Sequence, residues 1–237
     1  MIPKKIHYCW FGRGQKPKLA EKCIKSWQKF CPDFEIIEWN EDNFDPYAHP
    51  YTKFCYENKK WAYLSDFVRL KVVCEHGGVY FDTDVEVIKP VDELLKNEAF
   101  YGFENDSYVA TGLGFGAVSQ HKTVKSMLEQ YDKLERNIAG SYKLTNCPAL
   151  NTTALIPMGL QLNGEYQTVG GAVILPTDYL NPYDDPTGRL KKTENTYSIH
   201  WYSKSALDKK AILRSKITRP FHRIFGVDCF RWLKGKF

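Results

Sequence analysis

No two cysteines in this chain are spaced Cys-x-x-Cys, and no Cys/His set has zinc spacing, although seven cysteines are present (Cys9, Cys23, Cys31, Cys55, Cys74, Cys147 and Cys229). Odd in number and scattered, they argue against a zinc module; the simplest expectation is a reduced intracellular protein with buried thiols. No apolar run approaches the roughly 18–20 residues of a membrane-spanning helix. The opening Met1-Ile2-Pro3-Lys4-Lys5-Ile6-His7-Tyr8 has charge but no apolar segment behind it, so no secretory leader is expected. There is no internal repeat, no low-complexity segment and no Gly/Ser-rich linker. These absences imply a cytoplasmic chain with one folded body.

What is present fits that body. The 237 residues are 43% hydrophobic and 15% aromatic, with six Trp and fifteen Tyr, which excludes a disordered class. The net charge of +5 is unevenly placed. Residues 204–237 hold ten Lys/Arg against two Asp, a net +8, leaving 23 basic and 26 acidic residues, a net −3, for the rest. A domain over 1–205 and a basic tail over 206–237 are therefore expected. The tail interleaves Ile212, Leu213, Ile217, Phe221, Ile224, Phe225 and Trp232 with Lys and Arg, a pattern suited to an anionic membrane surface. Packing back on the body is the plain alternative. No RNA or DNA motif accompanies the charge, so nucleic acid is not an expected partner.

The order of elements points to an α/β sheet. Ile2–Trp10 reads as a strand, Lys18–Phe30 as a helix closed by Pro32, and Phe34–Trp39 as the next strand. Strand, helix, strand suggests a mostly parallel sheet. Residues 40–50 read as a polar loop, Lys59–His76 as the clearest helix, and Gly77-Gly78 as its stop. Further strands are expected at Phe100–Phe103, Thr111–Val118, Tyr166–Val169, Ala172–Leu175 and Thr196–Trp201, with a helix over His121–Asn137. The glycines at 112, 114 and 116 suggest close approach of a ligand or another backbone.

The most informative run is Val79-Tyr80-Phe81-Asp82-Thr83-Asp84. If the backbone stays extended, Asp82 and Asp84 point the same way and Thr83 opposite. Two converging carboxylates make an oxygen site for Mg²⁺ or Mn²⁺ with positions left for substrate phosphates. The plain alternative is two solvated aspartates in a turn. Asp66 and Arg69, three apart on the preceding helix, share a face. They are either an exposed ion pair or a fork and carboxylate gripping sugar hydroxyls. Trp10 ends the first strand, where ligands of parallel sheets gather, and either stacks on a base or packs in the core. His200 is either structural or a third metal ligand, and Lys204 a phosphate contact.

Four stretches resemble one family in order and spacing: Ile6 to Gly12, Leu64 to Arg69, Gly77 to Asp84, and His200-Trp201 with serines following. They are similar to the Asp-x-Asp sugar-transferases of the outer-chain mannosyltransferase and capsular polysaccharide transferase type, and distantly to the large clostridial toxin glucosyltransferases. The resemblance is most specific from Ser65 to Asp84 and thinnest between 120 and 195. It implies a single GT-A (nucleotide-sugar-binding, Rossmann-like) domain and a retaining hexosyltransferase using a divalent metal, commonly Mn²⁺. By position it implies that Cys9 and Trp10 border the nucleotide. Ser65, Asp66 and Arg69 would hold ribose and donor sugar, with Tyr80 beside the donor. Asp82 would bind ribose or a metal-bound water and Asp84 the metal itself; among His200, Ser203 and Ser205, the group completing the metal shell stays open. A UDP-sugar is the favoured donor, with GDP-mannose open. The expected acceptor is a saccharide, lipid-linked, used in surface polysaccharide synthesis at the inner membrane face. Rival readings are a non-catalytic nucleotide-sugar-binding module and a Mg²⁺-dependent phosphatase, whose Asp-x-Asp usually follows the first strand.

Overall fold

The computed structural model describes residues 1–137, 140–203, 209–227 and 229–230. Strand β1 (Lys5–Cys9) leads through α1 (Lys18–Phe30) to β2 (Glu35–Trp39), which lies parallel beside it. In α1, Ala20, Cys23 and Trp27 form the buried stripe, and the Trp27 indole N–H donates to the Val85 carbonyl at 2.8 Å, so its one polar atom is satisfied. Two helices follow, α2 (Pro50–Glu57) and α3 (Trp61–His76). Helix α3 buries Leu64, Phe67, Val68, Leu70, Val72 and Val73 and stops at Gly77 (φ +63°). At Gly78 (φ +115°) a Cβ would come within 2.8 Å of His7 Nε2 and 2.9 Å of the Lys5 carbonyl, so the glycine lets β3 (Gly78–Tyr80) close on β1.

After β3 the chain passes β4 (Val85–Val87), β5 (Ala99–Asn105), β6 (Tyr108–Ala110), β7 (Phe115–Ala117), α4 (Lys122–Asp132) and α5 (Cys147–Leu155). It continues through β8 (Gln167–Val169), β9 (Ala172–Leu175), α6 (Thr177–Leu180), β10 (Tyr183–Asp184), β11 (Arg189–Leu190), β12 (Ser198–His200) and α7 (Lys209–Phe225). The central sheet runs β2-β1-β3-β7-β5-β9-β8, with β6 paired to β5. Of its eight strands, β1, β2, β3, β5 and β9 point one way, while β6, β7 and β8 are reversed. The sheet is therefore mostly parallel, as expected from sequence.

Both faces of the sheet are covered at its centre, so β3, β7 and β9 are buried along their whole length. Val79, Phe81 and Phe100 belong to the core shared with Trp27. Tyr80, Tyr101 and Phe115 belong to the core under α3, with Phe67, Met127 and Tyr131. Outside the central sheet, β4 pairs antiparallel with β12, setting Val85 opposite His200.

Several expectations change. Residues 50–57 are helical, with Pro50 in the first turn and His49 Nδ1 accepting the Tyr51 N–H at 3.2 Å. Residues 147–155 are helical too, capped by Asn146. The strand expected over 111–118 shortens to β7, because Gly114 (φ +114°) turns the chain. The helix expected to reach Asn137 ends at Asp132.

Candidate active site

The Asp-x-Asp segment is not extended. Val85 N–H donates to the Asp82 carbonyl at 2.9 Å, closing a turn over 82–85 between β3 and β4. The turn, not strand alternation, brings Asp82 and Asp84 together, and Thr83 faces the same cleft. Oxygens of Asp82 and Asp84 and a ring nitrogen of His200 all lie within 4.8 Å of one another.

Arg69 is the centre of the second group. It is 4% exposed, and its Nη2 lies 3.0 Å from Asp66 Oδ1 and 2.9 Å from Asp82 Oδ1. The exposed ion pair is thus ruled out; both partners are largely withdrawn from water. Nε donates to the Ser65 carbonyl at 3.2 Å and Nη1 faces Cys147 Sγ at 3.8 Å. Tyr80 donates its hydroxyl to Asp82 Oδ1 at 3.0 Å. Across the site, a Cβ at Gly112 would stand 2.6 Å from Asp82 Oδ2 and 3.1 Å from Arg69 Nη1. The glycine there marks a close approach to the site's own carboxylate.

Environment separates the three aspartates. Burial pushes Asp66 up to about 6 against the pull of Arg69, with Asp82 adding to the rise. Burial also raises Asp82, opposed by Arg69 and reinforced by Asp84. Asp84 goes the other way: burial would raise it, but His200 and Ser203 hold it well below the usual carboxylate range. His200 Nε2 lies 3.1 Å from Asp84 Oδ1, and the Ser203 N–H donates to Asp84 Oδ2 at 2.7 Å. Burial pulls His200 down, yet Asp84 keeps it above its ordinary value. The Nδ1 atom of His200 is buried without a hydrogen-bond partner among the described residues.

Two carboxylates and an imidazole, converging with one ring nitrogen unsatisfied, fit a divalent ion of the Mn²⁺ or Mg²⁺ type. Of the sequence-derived candidates, Cys9, Trp10, Ser65, Asp66, Arg69, Asp82 and Asp84 line a single cleft of about 570 Å³. Tyr80 is 1% exposed and does not line it; its contacts with the site are the bond to Asp82 and the Arg69 guanidinium 5.0 Å from its ring centre. Lys204, read as a phosphate contact, and Ser205 lie outside the described residues. Trp10 donates its indole N–H to the Gly14 carbonyl at 2.6 Å, with Lys16 Nζ 5.6 Å from its ring. Sequence reading missed Trp61, which lines the cleft from the first turn of α3, and the backbone N–H of Ser203. Trp61 carries only the helical apolar signal of α3, which does not mark it for a cleft, and a backbone donor carries no residue-type signal.

With this geometry in view, residues 17–101 match the family model described as a glycosyltransferase sugar-binding region containing a DXD motif. The resemblance carried by Ser65 to Asp84 lies within that stretch, over which the chain is similar to that region. The chain is 30% identical over 107 residues to inositol phosphoceramide mannosyltransferase 3 of Schizosaccharomyces pombe, covering 42% of this chain and 29% of that protein. It is 31% identical over 74 residues to alpha-1,4-N-acetylglucosaminyltransferase of Homo sapiens, covering 31% and 20%. The chain thus spans less than half the length of these curated relatives. Among solved structures, the galactosyltransferase LgtC in complex with donor and acceptor sugar analogs aligns with a TM-score of 0.46 at 15% identity, covering 98% of this chain and 95% of that one.

Proposed function

We propose that this protein is a metal-dependent, retaining glycosyltransferase of the GT-A type. In this reading it moves a hexose or N-acetylhexosamine from a nucleotide-sugar, with a UDP-sugar favoured, to a saccharide acceptor. The carrying observation is the convergence of Asp82, Asp84 and His200, with the two carboxylates lining a cleft that also holds Asp66, Arg69 and Trp10 and His200 set behind them. Trp10 offers the base a flat face at one end. Arg69, held by Asp66 and Asp82, presents fixed donors and acceptors to sugar hydroxyls. Asp82, Asp84 and His200 would hold Mn²⁺ or Mg²⁺, which supplies positive charge to the departing diphosphate. The carboxylates among the cleft-lining residues are Asp66, Asp82 and Asp84, and each is already engaged by Arg69, His200 or Ser203. None is left as a covalent nucleophile. Front-face displacement, with the leaving-group oxygen accepting the acceptor hydroxyl's proton, is the step this set supports.

The acceptor is proposed to be lipid-linked and used in surface polysaccharide synthesis. Nothing favours the phosphatase: its motif usually follows a first strand, whereas Asp82 follows β3. The test is a panel of UDP- and GDP-sugars incubated with Mn²⁺ and scored for released nucleotide, with a parallel arm in EDTA. Release from one donor, lost in EDTA, is expected. Binding of a nucleotide-sugar with no release under any metal would show a non-catalytic module, and undiminished release in EDTA would remove the metal.

A further inference from the structure

Helix α7 has two chemically different sides. Arg219 ties it to the body: its Nη2 lies 2.7 Å from Asp185 Oδ1, and its Nε donates to the Asp185 carbonyl at 3.1 Å. Arg189 Nη2 adds a bond to the Arg223 carbonyl at 2.8 Å. With about 100° between successive residues, Leu213, Ile217, Phe221 and Ile224 share one narrow arc, opposite Arg219. They are 59, 59, 47 and 74% exposed, and Phe225 at the arc's border is 69% exposed. Phe221 meets Phe230 edge-on at 5.6 Å. Lys210 and Arg214 are exposed within or beside the arc, and Arg223 is exposed on its other flank.

A helix stapled by one side that leaves its large apolar residues in water is suited to a second surface. Charge selects which one. The basic residues border the apolar stripe itself, and residues 204–237 carry a net +8, so a second copy would bring like charges together. We propose that α7 docks on an anionic lipid bilayer. Leu213, Ile217, Phe221, Ile224 and Phe225 enter the headgroup and acyl boundary, while Lys210, Arg214 and Arg223 meet lipid phosphates. The docking holds whether or not the cleft turns over a donor.

The full chain is sedimented with vesicles of phosphatidylcholine alone or mixed with phosphatidylglycerol. Binding to the anionic vesicles only, weakening with salt, is expected. Leu213→Ser/Ile217→Ser/Phe221→Ser/Ile224→Ser should abolish it. Lys210→Glu/Arg214→Glu/Arg223→Glu should weaken it on the order of a hundredfold or more. Both variants should melt as the parent does. Should a variant fail to fold, amide exchange of the unaltered protein decides: slowing within 209–225 on adding anionic vesicles supports docking, and unchanged exchange overturns it. No sedimentation of the parent, equal binding to both vesicle types, or variants that bind as the parent would also overturn it. So would self-association lost in the serine variant without vesicle binding, which assigns the face to a second copy.

Discussion

Replacing Arg69 by methionine removes one cation and leaves two carboxylates facing each other away from water. The arginine is 4% exposed and reaches Asp66 at 3.0 Å and Asp82 at 2.9 Å. Removing one member of a buried charged group costs about 3–5 kcal/mol, against under ~1 kcal/mol for an exposed pair. For a domain of this size that is a fall in Tm of roughly 6–20 °C. The sign of the pH dependence follows from Asp66. Its pKa, already raised to about 6 with Arg69 in place, rises further without it. The folded state then binds more protons than the unfolded chain over a window widened upward, so the variant loses stability as pH rises through that window. The measured loss should therefore be larger at pH 8 than at pH 5, and Arg69→Met/Asp66→Asn should recover part of it. The assay is urea unfolding followed by tryptophan fluorescence in EDTA at both pH values. A loss below about 1 kcal/mol, or one independent of pH, would refute the buried-pair reasoning.

Three further outcomes follow from the geometry. Asp84→Asn should lower Mn²⁺-dependent nucleotide release by about a hundredfold or more while far-ultraviolet dichroism stays unchanged; retained release would remove Asp84 from the site. Gly112→Ala should press a methyl into Asp82 Oδ2, and release should fall on the order of a hundredfold with a change in Tm of only a few degrees; full activity would show that Asp82 moves freely. Without metal, the Asp84–His200 pair stabilises only within a window. Asp84, depressed in the fold, loses its contribution as pH falls below the unfolded carboxylate value of about 4, and His200, raised in the fold, loses its own as pH climbs above about 6.5. His200→Gln should lower the plateau between those limits, remove the decline above about 6.5 and shrink the one below about 4, as read by thermal melts from pH 3 to 9.

The parts of the fold that sequence revealed are those whose apolar residues keep a period. Helix α1 repeats Ala20, Cys23 and Trp27, and α3 repeats Leu64, Val68 and Val72, all buried. Helix α5 hid because polar residues share its buried side with Cys147, Leu150, Ala154 and Leu155: Asn151 is 0% exposed and donates to Thr111 Oγ1 at 3.1 Å, and buried Thr152 accepts the Val109 N–H at 3.0 Å. Buried polar groups with partners blur the apolar period of so short a helix. The site shows the same division. Ser65, Asp66, Arg69, Asp82 and Asp84 were legible as residue types at fixed spacing. The turn that joins the carboxylates, the Ser203 N–H on Asp84 and the role of Gly112 depend on backbone placement, which spacing does not encode.

The pairing of β4 with β12 also sets when the site exists. Asp82 bonds to Arg69 and Tyr80, both close to it in the chain and both made before the turn is complete. His200 and the Ser203 N–H come from more than a hundred residues later. During synthesis the carboxylate turn waits for almost the whole domain before its imidazole arrives. A product cut short before residue 198 would retain the Asp-x-Asp motif yet hold only two of the three groups proposed to ligate a metal. Convergence of Asp82, Asp84 and His200 thus reports that the chain has been made through β12.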